Sequence, residues 1–174
     1  MKRVRNLAVA LYYLSRIAAI LFVTISAYIL LIIVLSAFGI KGLPVDIDNA
    51  HFVIFLPFSK IPFLLGDYNN TFLSVSISTL TLYAIFLWLL SAVFNVFKQQ
   101  KIFVPQSAKC FKNFYLFNFY IPLLYVCCLI IFKLELRDAV IIVLLHLMIS
   151  VFIFFMATIF QQGLVLQEEQ DQTL

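Results

Sequence analysis

Apolar residues run through this chain in four long stretches separated by short polar breaks. They lie within residues 7–38, 71–97, 108–132 and 137–162. Each reaches the roughly 20 residues that a helix needs to cross the hydrocarbon of a bilayer. In lipid a backbone must satisfy its own N–H and C=O groups, so apolar stretches of this length predict helices. The pattern predicts an all-α integral membrane protein: four transmembrane helices as an antiparallel bundle, in one membrane domain over residues 1–174.

Punctuation between the stretches predicts the ends. In the first, Ile17–Ser36 is the hydrocarbon-embedded part. Arg16 then falls at its boundary, where the stem can lie along lipid and the head reach phosphate, with Tyr12 and Tyr13 as interfacial aromatics. Gly39 and Gly42-Leu43-Pro44 predict the helix end. Residues 39–70 do not span and form a cap. Within it, Asp46-Ile47-Asp48-Asn49 predicts a turn. Phe52–Leu56 and Ile61–Leu65 flank Pro57-Phe58-Ser59-Lys60. Their β-branched and aromatic content fits a short β-hairpin, and equally a segment lying in the lipid interface. Asn70 or Thr71 suits an N-cap for the second helix, and Ser107 one for the third, after a loop over 98–107. Pro122 lies mid-span and predicts a kink and a freed carbonyl near position 118. The short connection Lys133–Asp138 makes the third and fourth helices adjacent and antiparallel. Residues 163–174 form an acidic tail.

Composition narrows the class. The 174 residues are 64% hydrophobic and 11% charged, with a mean hydropathy of +1.09. Soluble domains are about half apolar and a quarter charged. A soluble enzyme, a free nucleic-acid-binding domain and a disordered chain are excluded, and the lipid bilayer is the expected surrounding. The net charge of +4 does not imply nucleic acid, because the cations punctuate apolar stretches and form no basic stripe. Lys2, Arg3, Arg5, Arg16, Lys98, Lys101, Lys109 and Lys112 share one side of a four-span layout, eight of the twelve Lys and Arg residues. The positive-inside bias then puts both termini in the cytoplasm and the 39–70 cap outside it.

Few residues can carry chemistry. His146 lies near the middle of the fourth span, about 4.5 Å from its centre by helix rise. An ionisable group at that depth must face the bundle and be hydrogen-bonded. Tyr28, Ser78, Thr79 and Tyr125 lie at matching depth on the other spans. Three readings stand: a neutral histidine pinning two helices, a proton-relay or ligand group, and a metal site with Cys127 or Cys128. Two vicinal cysteines and one histidine do not make a zinc spacing, so no metal and no cofactor are expected. Ser74, Ser78 and Thr81 share a face of the second span and suit either close helix packing or the lining of a polar path. The aromatic third span, from Phe111 to Tyr120, suits packing, lipid or a flat apolar ligand. The chain has no nucleophile elbow, P-loop, HExxH or intramembrane carboxylate pair, so an enzyme is not expected.

The most specific feature is the tail, Phe160-Gln-Gln-Gly163-Leu-Val-Leu166-Gln-Glu168-Glu169-Gln-Asp171-Gln-Thr173-Leu174. With Ile102-Phe103-Val104-Pro105-Gln106-Ser107-Ala108-Lys109, it resembles a bacterial four-span membrane protein family catalogued as domain of unknown function 2975. Phe160, Gly163, Leu166, Glu168, Glu169, Asp171 and Thr173 match the family pattern, while Gln172 replaces a usually apolar residue. The resemblance implies an inner-membrane protein often encoded beside a helix-turn-helix regulator, with no activity attached. Two functions follow as expectations. The first is non-enzymatic and regulatory or signalling. A cytoplasmic partner, such as that regulator, would be bound through Lys101, Phe103, Lys109, Lys112, Phe160, Gly163, Leu166, Glu168, Glu169, Asp171 and Thr173. Gly163 would let the helix end or bend at the membrane surface, and the acidic tail would either meet a basic partner or fold back on Lys101, Lys109 and Lys112. The second is a small transporter, channel or ligand-binding subunit with a polar path around His146, Ser74, Ser78, Thr79, Tyr28 and Tyr125. A homo-oligomer is compatible with either.

Overall fold

The computed structural model describes residues 2–40, 42–47, 51–56, 59–67, 70–99, 101–131 and 137–172. The element order is α1 (Lys2–Ala37), β1 (Val45–Ile47), β2 (His51–Phe55), β3 (Pro62–Asp67), α2 (Asn70–Lys98), α3 (Pro105–Ile131) and α4 (Arg137–Gln172). All four helices are long and apolar enough to cross a membrane, and the chain is a multi-pass membrane protein. Their exposed side chains are what lipid would cover: Leu14, Ile17 and Leu21 on α1, and Met148, Phe152 and Phe155 on α4.

Helix α1 ends as its glycine predicts. Gly39 takes φ 71°. Its N–H reaches the Ser36 carbonyl at 2.9 Å, and the Ile40 N–H reaches Leu35 at 3.3 Å. This is a Schellman closure, which satisfies carbonyls a helix end would orphan. Helix α2 starts at Asn70, where an N-cap was expected. Helix α3 starts two residues before Ser107. Pro105 occupies its first position, where a missing N–H costs nothing, and the Ser107 N–H donates to the Val104 carbonyl at 2.9 Å. Ser107 is therefore a first-turn residue rather than the N-cap. Helix α3 runs on through Pro122 as one continuous helix.

The contacts group into two compact units, one of residues 1–17 and 86–174 and the other of residues 18–85. In the second unit the strands form an antiparallel sheet ordered β1-β2-β3. Val53 pairs with Leu65 and Ile54 with Leu64, with a bulge at Ile54/Phe55. That is the hairpin expected from the two apolar runs. The third strand is a correction: Asp46 and Ile47 belong to β1, with Asp46 opposite Val53, and not to a turn. Asp48, Asn49, Pro57 and Phe58 lie outside the described residues. Strand β2 alternates, burying Phe52 and Ile54 against Ile29 and Ile32 of α1 and Leu73 of α2. The Tyr28 hydroxyl donates to the Phe55 carbonyl at 2.8 Å, and the Ser26 and Thr81 hydroxyls meet at 2.9 Å.

In the first unit, α3 and α4 run antiparallel: Phe111 meets Phe160 at one end of their contact, and Asn118 meets His146 further along. The buried face of α3 reads Ser107, Phe111, Phe114, Asn118, Pro122 and Leu129. Those steps of three, four and seven residues mark the seam of a packed helix. Val93 and Val96 of α2 and Ile153, Ala157 and Phe160 of α4 close the core around Phe111 and Phe114.

Candidate functional site

Two places gather polar side chains that an apolar helix does not carry without reason. The first is the α3–α4 seam. Asn118 is fully buried. Its Nδ2 donates to the Phe114 carbonyl one turn back at 2.8 Å, which turns Oδ1 toward His146. The separation from Oδ1 to His146 Nδ1 is 2.7 Å. An amide oxygen only accepts, so Nδ1 of His146 carries the proton and donates. The Phe86 ring stands edge-on to the imidazole at 5.3 Å and meets the Phe114 ring at 5.4 Å. One turn further along α4, the Ser150 hydroxyl donates to the Tyr115 carbonyl at 2.9 Å. These bonds tie α3 to α4 through satisfied polar groups, with aromatic rings packed around them.

The candidates drawn from depth alone lie elsewhere. Tyr28 donates to Phe55. Ser78 donates to its own helix at Val75, and Ser74 is exposed while Thr79 is half-buried. On the face proposed from Ser74, Ser78 and Thr81, it is Thr81 that bonds across to α1. Tyr125 is half-buried on α3. The partner found for His146 is Asn118, which depth-matching passed over. The signal was present: Asn118 falls on the same seven-residue seam as Phe111 and Pro122. Cys127 and Cys128 are exposed, and among the described residues no three His, Cys, Asp or Glu side chains gather as a metal set.

The second place is one end of the α1–α2 pair in the first unit. The Arg16 guanidinium lies 3.0 Å from the centroid of the Trp88 ring, and its Nη1 donates to the Ser91 hydroxyl at 3.5 Å. The Lys98 ammonium lies 4.1 Å from the Tyr12 centroid and 5.6 Å from that of Tyr13. Arg16 thus turns onto α2, where the sequence suggested a stem running along lipid.

Of the residues matched to the family pattern, Phe160 and Gly163 meet Phe103 at the junction of the α2–α3 loop with α4. The Phe103 ring lies against Gly163, where any Cβ would collide with it. It also meets Phe160 at 5.2 Å, and Phe160 packs on Phe111 at 4.5 Å and Phe97 at 6.0 Å. Gly163 does not end the helix. Helix α4 continues through it to Gln172, and the glycine makes room for the loop. Phe160 is buried, while Leu166, Glu168, Glu169, Lys101, Lys109 and Lys112 are exposed. The Asp171 side chain and Thr173 lie outside the described residues.

No curated protein and no solved structure matches the chain. The model of a protein family of unknown function, DUF2975, matches residues 48–174. That match takes in three of the four helices, the Asn118–His146 pair and the Phe103–Gly163 junction, and on it the chain belongs to the DUF2975 family.

Proposed function

We propose that this chain is a non-enzymatic regulatory protein of the inner membrane, with both termini in the cytoplasm. Its cytoplasmic end docks a basic partner, of which a helix-turn-helix regulator is the candidate. The observation that carries the reading is α4. It is a single helix of 36 residues, about 54 Å long, against a hydrocarbon layer of about 30 Å. Its final turns therefore stand clear of lipid as a helix, with Glu168 and Glu169 exposed along them. Phe103 seated on Gly163 braces that extension. A rigid acidic rod loses less conformational freedom on binding than a loose tail would. The excess of Lys and Arg in the N-terminal segment and at 98–112 supports the orientation. Asn118 with His146, and Ser150 with the Tyr115 carbonyl, have their hydrogen bonds across the α3–α4 seam, which favours a structural role for these groups over a conducting path.

The test is co-purification of the full-length chain with a helix-turn-helix regulator from the same cell. Charge reversal at Glu168 and Glu169 to Lys should abolish recovery, and added salt should weaken it. Ser74→Ala should leave it unchanged. Undiminished recovery of the reversed variant would remove the proposal.

A further inference from the structure

We propose that the start of α1 and the end of α4 are the two halves of a contact between copies of this chain, the basic α1 of one copy seated on the acidic α4 of a second. Tyr12 stands against Lys98 and Phe160 against Phe97, so both mark the level at which α2 ends. Arg16 lies by Trp88 and Ser91, and His146 by Phe86. Helix α1 therefore runs antiparallel to α2, and α4 parallel to it. Past the shared level, α1 continues back to Lys2 and α4 on to Gln172, about 15 and 18 Å of helix. Two rods project from the same end of the first unit.

Each rod leaves apolar side chains bare. On α1, Val4, Leu7, Leu11 and Leu14 recur at steps of three and four residues, the seam of a two-stranded coil. Val4 is 63% and Leu7 60% exposed. On α4, Val165 and Leu166 are 52% and 60% exposed. Lipid does not reach Leu7, which lies about 15 Å from Ile17 by helix rise, whereas the headgroup layer adds about 5–7 Å to each side of the hydrocarbon. Charge selects what does. The chain has no Asp or Glu before Asp46 and no Lys or Arg after Arg137. The start of α1, with Lys2, Arg3 and Arg5, is therefore purely basic, and the end of α4, with Glu168, Glu169 and Asp171, purely acidic. Two α1 ends repel each other, while α1 and α4 ends attract. Height agrees with charge, because copies in one membrane share their level. Leu166 is six residues past Phe160, and Leu7 five before Tyr12; Glu168 is eight past, and Arg3 nine before. Leucine thus meets leucine and glutamate meets arginine. The contact shares Glu168 with the docking surface proposed above but rests on this chain alone, and the second copy competes there with the regulator.

The experiment uses the full chain with Cys110, Cys127 and Cys128 changed to Ala. One batch carries Leu7→Cys and another Leu166→Cys, and the two are reconstituted together in phosphatidylcholine vesicles and oxidised. A covalent dimer should form in the mixture, and far less of it in either batch alone. Adding Glu168→Lys to the Leu166→Cys batch should slow the mixed cross-link about tenfold. Adding Arg3→Glu to the Leu7→Cys batch as well should restore it. Residues 3, 7, 166 and 168 are all exposed, so none of these changes disturbs a core. No mixed cross-link, or an equal one in the Leu7→Cys batch alone, would overturn the proposal, the second result by making α1 of the other copy the occupant. A mixed cross-link indifferent to the charge changes would overturn the pairing of basic with acidic ends. The vesicles hold this chain only, so failure here leaves the regulator reading standing, and failure of the co-purification leaves this contact standing.

Discussion

The core of the α2–α3–α4 unit and the core beneath the sheet place their polar bonds differently. Around Phe111 and Phe114 rings pack on rings and on Val93, Val96, Ile153 and Ala157, and the Asn118–His146 bond lies in the seam itself. Beneath the sheet the core is aliphatic, built on Ile29, Ile32 and Ile54 with Phe52 and Leu73. There the polar contacts are a half-buried tyrosine on a strand carbonyl and a pair of hydroxyls of which Thr81 is exposed, whereas in the seam Asn118 is fully buried and its partner His146 half-buried. A polar group inside a seam must keep its partner or stand unsatisfied in an apolar surrounding. One at a margin can exchange its partner for water or a headgroup. The comparison therefore predicts that the first unit is sensitive to both shape and polarity, and the second mainly to shape.

The largest effect should come from shape in each core. Phe111→Ala removes a ring that touches Phe97 and Phe160 and should cost about 4 kcal/mol, against about 3 kcal/mol for Ile54→Ala. Equilibrium unfolding of the full-length protein in mixed micelles measures both. Equal costs would mean that the ring pairs add nothing beyond volume.

Polarity separates the units next. Asn118→Ala leaves the Nδ1–H of His146 without its acceptor and opens a void on the seam, at about 2 kcal/mol. A double-mutant cycle with His146→Ala should return a coupling near 1 kcal/mol, within the range of interhelical hydrogen bonds in lipid. A coupling of zero would reduce the pair to packing. In the second unit Tyr28→Phe keeps the ring and removes one bond to Phe55, so about 1 kcal/mol is expected by the same unfolding measurement.

The helices and the hairpin could be read from the sequence because they depend on local quantities: run length, glycine placement and period. Strand β1 could not, since Val45-Asp46-Ile47 is three residues long and carries a charge, and only pairing with β2 makes it a strand. Asn118 was missed because depth fixes a level along the membrane normal and not a face. The seat of Arg16 on Trp88 was not legible because it depends on the register of α1 against α2, which neither helix encodes alone. Gly163 suggested a helix end on intrinsic preference. Its neighbour Phe103, 60 residues away in sequence, supplies the reason for a glycine inside a helix that continues.

The smallest effect tests the comparison most sharply. Ser26 is buried on α1, and its hydroxyl lies 2.9 Å from that of Thr81 on α2, which is exposed. Thr81 also donates to its own Ile77 carbonyl at 2.8 Å, so in the pair Ser26 is the donor and Thr81 Oγ1 the acceptor. In Ser26→Ala, Thr81 keeps its intrahelical bond and loses only an incoming proton. The loss should be about 0.6 kcal/mol, the average for such bonds in lipid. Thr81→Val takes away the acceptor instead and leaves the buried Ser26 hydroxyl to turn back on its own helix, a bond that serine makes readily, so it should cost no more. If either variant costs as much as Asn118→Ala, position at the margin does not protect a polar pair, and the contrast between the two cores fails.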